Sequence, residues 1–182
     1  IENIEMTKHV LEEANQMDAF VINVSSRDVY GNALNPSEDD VTPDSPNGYA
    51  ASKLGSEALV NAYRHTHDVP STSVRLANVY GPMDTNRRVI PIFIAQALAG
   101  EELTVYGDGK LLDFVHIDDI CNAILTTLAR SDVVAGQTLT LGSGTGTPLS
   151  KVAASVAEAI DACPGWRMCD DREGDVGQFV AN

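Results

Sequence analysis

The sequence predicts an α/β protein, a parallel sheet connected by right-handed helical crossovers. Three observations carry this reading. Short apolar runs of strand length alternate with longer segments whose apolar residues recur every three or four positions. Clusters of Gly, Pro, Asn and Asp mark the joints between them. The apolar share, 43% of 182 residues, suits a packed core and is too high for a disordered chain.

In chain order, Thr7 to Asn15 has helical spacing, with Val10, Leu11 and Ala14 apolar. The run from Ala19 to Ser25 reads as a buried strand, with Phe20 to Ser25 as its body. Residues 31–48 hold Pro36, Pro43 and Pro46 and read as a loop. Tyr49 to His65 is a helix, because Ala50, Leu54, Ala58, Leu59 and Ala62 repeat at three and four. Thr72 to Val79 reads as one strand, closed by Tyr80-Gly81-Pro82. Val89 to Ala99 is a helix that Pro91 confines to beginning nearby. A short strand, Leu103 to Tyr106, meets the turn Gly107-Asp108-Gly109, and Phe114 to Ile117 is another strand. Asp118 opens a helix to about Arg130, with Asp118 and Asp119 at its positive end. Thr138 to Leu141 is a strand, the glycines 142, 144 and 146 make a turn, and Pro148 to Ala162 is the last helix. The strands Phe20 to Ser25, Thr72 to Val79 and Thr138 to Leu141 should lie parallel in one sheet.

Charge narrows the partners. Twelve Lys and Arg stand against 26 Asp and Glu, a net charge of −14. A phosphate backbone would be repelled, so no nucleic-acid partner is expected. Many aspartates and four lysines suit high salt, where screening removes self-repulsion. The longest mostly apolar stretch, Val89 to Gly100, is too short to span a bilayer, so no membrane partner is expected either. Cys121, Cys163 and Cys169 are odd in number and lack metal-ligand spacing; a reduced, cytoplasmic protein without a metal is expected. The first residue is Ile1, so the expectation is a processed or internal piece of a longer protein.

Tyr49 and Lys53 lie four apart on one helix, which sends both side chains from the same face. An ammonium beside a phenol favours the phenolate, making Tyr49 a candidate general acid or base. Ser25-Ser26 ends the preceding strand, and Asn78 lies at the end of the next. Both therefore reach the carboxyl-end crevice where α/β sheets bind ligands.

The segments VINVSSRDVYG, YAASKLGSEALV, SVRLANVYGP, LTVYGDG, DFVHIDDICNAI, TLTLGSGTGTPLSKVA and REGDV stand in order along the chain. Together they resemble the extended short-chain dehydrogenase/reductase family, and within it the NAD-dependent nucleotide-sugar epimerases and dehydratases. The resemblance implies the C-terminal part of a Rossmann-type parallel sheet, with a smaller α/β substrate-binding lobe. Residues 1–86 and 113–142 would form the incomplete nucleotide-binding domain, and 87–112 and 143–182 the incomplete lobe. It implies NAD as cofactor, a nucleotide sugar as substrate, and a homodimer made through the Tyr49 helix, whose Ala51, Gly55, Ala58 and Ala62 are small enough for close approach.

By the same resemblance, Ser26 is the hydroxyl that bonds the sugar, Tyr49 the proton carrier, and Lys53 the residue that holds the nicotinamide ribose. Val79 would lie beside the nicotinamide and Asn3 near the cofactor. Asn78, Arg88 and Arg172 would contact the diphosphate, with Val105 and Tyr106 on the strand that edges the base. The implied activity is a 4-epimerisation through a keto sugar. Alternatives are a dehydratase or decarboxylase of the same family, or a non-catalytic fragment that binds a nucleotide or a partner subunit.

Four departures stand out. The glycine-rich GxxGxxG turn is absent. Leu111-Leu112 precede Asp113-Phe114 where the family usually has an arginine. Dehydratases usually carry Asp then Glu after the catalytic hydroxyl, whereas Arg27 and Asp28 follow Ser26 here. The chain also stops before the family's usual last helices, so a fragment truncated at both ends is expected.

Overall fold

A computed structural model of the chain describes residues 2–41, 44–107, 109–170 and 177–182. Helix α1 (Glu2–Met17) buries Leu11 and Ala14 and leads into strand β1 (Val21–Ser26). A 3-10 turn (Arg27–Tyr30) and a two-residue strand β2 (Ala33–Leu34) follow. Helix α2 (Gly48–His67) starts where the Asn47 side chain accepts the Ala50 N–H at 2.9 Å, and it ends on Asp68 in a left-handed conformation. Next come β3 (Ser71–Leu76), β4 (Asn78–Tyr80), α3 (Val89–Leu98), β5 (Leu103–Tyr106) and β6 (Leu111–His116). Helices α4 (Ile117–Ala129) and α5 (Ser131–Val134) lead to β7 (Thr138–Leu141), β8 (Gly146–Pro148), α6 (Leu149–Ala159), β9 (Trp166–Cys169) and β10 (Gln178–Val180).

The predicted parallel sheet is present, in the order β1-β3-β7. Val24 stands opposite Val74, and Val74 opposite Leu139. Val74 is fully buried at the centre, which is what a parallel strand covered on both faces requires. The strand expected to run on to Val79 instead breaks at Ala77, whose N–H donates to Leu141 O at 2.9 Å. Beyond that point β4 leaves β7 and pairs with β6, Asn78 opposite Phe114. The break turns Asn78 and Val79 into a second sheet, and the Asn78 amide donates to Asp113 O at 2.8 Å.

That second sheet has five strands, in the order β2-β10-β6-β4 with β8 antiparallel on β6. It draws on segments that the sequence assigns to both units. Phe179 of β10 is fully buried and stacks on Tyr30 with ring centroids 5.9 Å apart. Asp113, also fully buried, accepts N–H bonds from Ser143, Gly144 and Ala181 and the Ser143 hydroxyl, tying the glycine turn and the chain's last residues to β6. A Cβ on Gly142 would stand 2.6 Å from Asp113 Oδ2 and 2.7 Å from Ala181 Cβ, so the turn needs glycine there. A separate pair, β5 with β9, is parallel.

Two apolar clusters result. One joins α1, α2 and β1 through Leu11, Ala14, Val21, Val60 and Val69. The larger gathers Phe93, Ala97, Leu103, Val105, Leu112 and Phe179, with others, between α3, α6 and the second sheet. Helix α2 forms as predicted and buries Ala50 of the predicted stripe, yet its other buried residues are Ser52, Ser56, Glu57 and Val60, and Ala58 and Ala62 stay exposed. Gly55 is spent inside the chain: a Cβ there would meet Ile4 Cδ1 of α1 at 2.6 Å.

Candidate functional site

At the carboxyl ends of β1 and β4 lies a cleft of about 510 Å³. Ser26 reaches it because β1 ends there: its Oγ caps the 3-10 turn, accepting the Asp28 N–H at 3.2 Å. Tyr49 reaches it from the first turn of α2, 48% exposed. Asn78, Val79, Arg88 and Tyr106 complete the expected lining. Lys53 stands one turn behind Tyr49. Its Nζ is 5.8 Å from the Tyr49 ring centroid and donates to Val24 O at 2.9 Å. Burial pulls the Lys53 ammonium below its ordinary value of 10.5.

The remaining expectations are placed elsewhere. Val105 is 1% exposed and faces the larger core, because side chains alternate along β5; Thr104 and Tyr106, on the other face, line the cleft instead. Asn3 lies on the seam of α1 and α2, donating to Ser52 Oγ at 2.9 Å, and does not line the cleft. Arg172 lies outside the described residues. Leu112, where the resemblance led one to look for an arginine, is a buried core residue, while Lys110 is buried and lines the cleft.

Beneath the site is a buried ion pair that the sequence does not mark. Arg75 donates to both Glu57 oxygens, at 3.0 and 2.7 Å, and also to the Tyr30 hydroxyl and Glu38 O. Glu57 sits one turn after Lys53 on α2, and Tyr30 closes the turn that begins at Ser26. This fork therefore ties the helix that carries Tyr49 and Lys53 to the turn that carries Ser26. Its sequence signal is absent, since an Arg and a Glu 18 residues apart share no periodicity.

The exposed phenol and the half-buried ammonium stand together at the carboxyl end of a parallel strand, and that arrangement suits the nicotinamide ribose of NAD. The residues present fit that end of the cofactor; the glycine turn that would cradle a pyrophosphate is absent from the sequence. Among the described residues no cluster of His, Cys, Asp and Glu could hold a metal ion, and no helix is long and apolar enough to cross a membrane.

Comparison with known proteins shows the family. A family model, the NAD dependent epimerase/dehydratase family, matches residues 1–142. The chain belongs to that family. It is 38% identical over 148 residues to dTDP-glucose 4,6-dehydratase of Xanthomonas campestris pv. campestris, covering 79% of this chain and 42% of that protein. The crystal structure of the dTDP-glucose 4,6-dehydratase DesIV from Streptomyces venezuelae, with NAD and TYD bound, superposes with a TM-score of 0.84 at 30% identity, covering 99% of this chain and 56% of that one. Thermus thermophilus UDP-glucose 4-epimerase in complex with NAD gives 0.84 at 26% identity, covering 99% and 61%. The chain thus spans about half the length of the proteins it matches.

Proposed function

We propose that this chain forms the catalytic part of a NAD-dependent nucleotide-sugar 4-epimerase. The observation that carries the proposal is that Ser26 and Tyr49 share one cleft while the Lys53 ammonium stands 5.8 Å from the Tyr49 ring centroid. In this reading Ser26 Oγ bonds the sugar hydroxyl and Tyr49 takes its proton, with the Lys53 ammonium standing behind it. NAD, held at its nicotinamide end by Tyr49, Lys53 and Val79, would supply the hydride-transfer chemistry that a 4-epimerisation needs. Asn78, Arg88 and Tyr106, together with Arg172, hold the nucleoside diphosphate, and Val79 bounds the nicotinamide end. Residues 1–86 and 113–142 serve the cofactor, and 87–112 and 143–182 the substrate. The three cysteines, all free, suit a cytoplasmic enzyme. The open sides of α1 and α2 suit a homodimer.

Dehydration is the second reading, favoured by the name of the Xanthomonas relative. Against it, Asp28 is engaged by Arg27 at 3.1 Å, where elimination of water calls for a carboxyl free to hand over a proton. Product analysis separates the two. Full-length protein incubated with NAD and UDP-glucose, dTDP-glucose or UDP-glucuronate should yield an epimer of unchanged mass. A product lighter by one water makes it a dehydratase, and one lighter by carbon dioxide a decarboxylase. No product from any of the three leaves the binding-only reading standing.

A further inference from the structure

Among the described residues, four Lys and Arg side chains line the cleft, Arg27, Arg87, Arg88 and Lys110, together with two carboxylates, Asp28 and Asp84. Arg27 is the least expected of the four. Its side chain is only 14% exposed, and its guanidinium lies over the Phe179 ring, 5.8 Å from the centroid. Its Nε faces Asp28 Oδ1 at 3.1 Å, yet Nη1 is closed off from water and meets no acceptor among the described residues. A guanidinium has five N–H donors, and leaving them unmet in a desolvated place is costly. Burial is the main influence that pulls Arg27 down; Asp28 acts against it, and the charge of Arg88 adds to it. Arg27, Asp28 and Arg88 all line the same cleft.

We propose that Arg27 is a substrate-binding residue, which with Arg88 grips an anionic oxygen of the nucleotide sugar. This rests on the sugar-nucleotide reading above. The chemistry is a charge-assisted N–H to oxygen bond, open to a diphosphate or to a carboxylate borne on the sugar. Asp28 then acts as the counter-charge that keeps Arg27 oriented before the ligand arrives.

The test is calorimetric binding of UDP, UDP-glucose and UDP-glucuronate to full-length protein and to its Arg27→Gln variant. Loss of one charge-assisted contact should weaken binding by about 10- to 100-fold. Weakening of all three ligands assigns Arg27 to the diphosphate; weakening of UDP-glucuronate alone assigns it to a sugar carboxylate. Unchanged affinity for all three overturns the proposal. Arg27→Lys keeps the charge and the packing on Phe179, so it should recover part of the lost affinity even if the glutamine variant folds poorly. No recovery in a folded lysine variant also overturns it. If the unaltered protein binds none of the three, the sugar-nucleotide reading itself fails, and this proposal with it.

Discussion

At the residue scale the sequence was most legible where chemistry needs a fixed spacing. Tyr49 and Lys53, four apart on a helix, had to share a face, and Ser26 had to sit at a strand end; Ser26 and Tyr49 line one cleft, with Lys53 behind Tyr49. Val105 was misplaced because family position alone does not say which way a strand residue points, whereas the alternation of β5 does. Arg27 and Lys110 went unread because burial of a charged side chain leaves no mark in the sequence. Replacement of Tyr49 by Phe should lower kcat by about 10²- to 10⁴-fold with little change in sugar-nucleotide affinity, since only the proton relay is lost; steady-state kinetics beside calorimetry checks both halves. Lys53 gives a prediction with a definite sign. Its folded-state pKa lies below 10.5, so at neutral pH the folded protein bears the whole cost of burying the charge. As pH climbs toward 10.5 the folded form sheds that proton before the unfolded one, and the cost fades. Stability of the unaltered protein relative to Lys53→Met should therefore rise with pH over that window. Urea titrations at several alkaline pH values would show it, and a falling difference would contradict it.

At the element scale, helix α2 was legible as a helix but not as to its buried side. Alanines at three and four fix the period, yet they are too small to decide which face packs. Here Ser52 and Ser56 meet α1 through hydroxyl contacts, while Glu57 points at Arg75. Strand β9 was missed because its residues are mostly exposed and do not alternate, and β10 because three residues carry no period. The Arg75–Glu57 fork holds α2 to β3 with both side chains under a tenth exposed. Glu57→Gln should cost about 3–5 kcal/mol, because it leaves a buried guanidinium without its counter-charge. Glu57→Leu combined with Arg75→Met should cost much less than the two single changes added together, because neither charge is then stranded. Urea unfolding of the set measures this, and additive losses would show that the two residues act separately.

At the scale of the whole molecule, the membership of β1, β3 and β7 in one parallel sheet followed from the alternation of helix and strand, while their order and the five-stranded sheet did not. Its pairing depends on the break at Ala77 and on β10 returning from the far end of the chain beside β2 and β6, long-range events without a local signature. Association follows from what the helices leave open. Ala58 and Ala62 on α2, and Met6 and Val10 on α1, stay exposed, so the full-length protein should sediment as a dimer and Ala58→Glu should shift it toward monomer.

Net charge acts over the same scale. With 26 acids against 12 bases, most charge pairs on the surface repel. That repulsion weakens as the screening length falls from about 30 Å at 0.01 M salt to about 3 Å at 1 M. Salt also screens the favourable pairs, but Lys8–Glu12 and Arg167–Glu102 are exposed, and such pairs contribute little. The buried Arg75–Glu57 fork is screened far less. Repulsion should therefore dominate, and the unfolding midpoint should rise by several degrees in sodium chloride over that range, about 2–4 °C for each kcal/mol gained. Sodium sulfate at equal ionic strength separates the causes, because sulfate also stabilises by exclusion from the protein surface. Equal rises in the two salts would assign the effect to screening; a rise in sulfate alone would mean that the −14 charge costs the fold little.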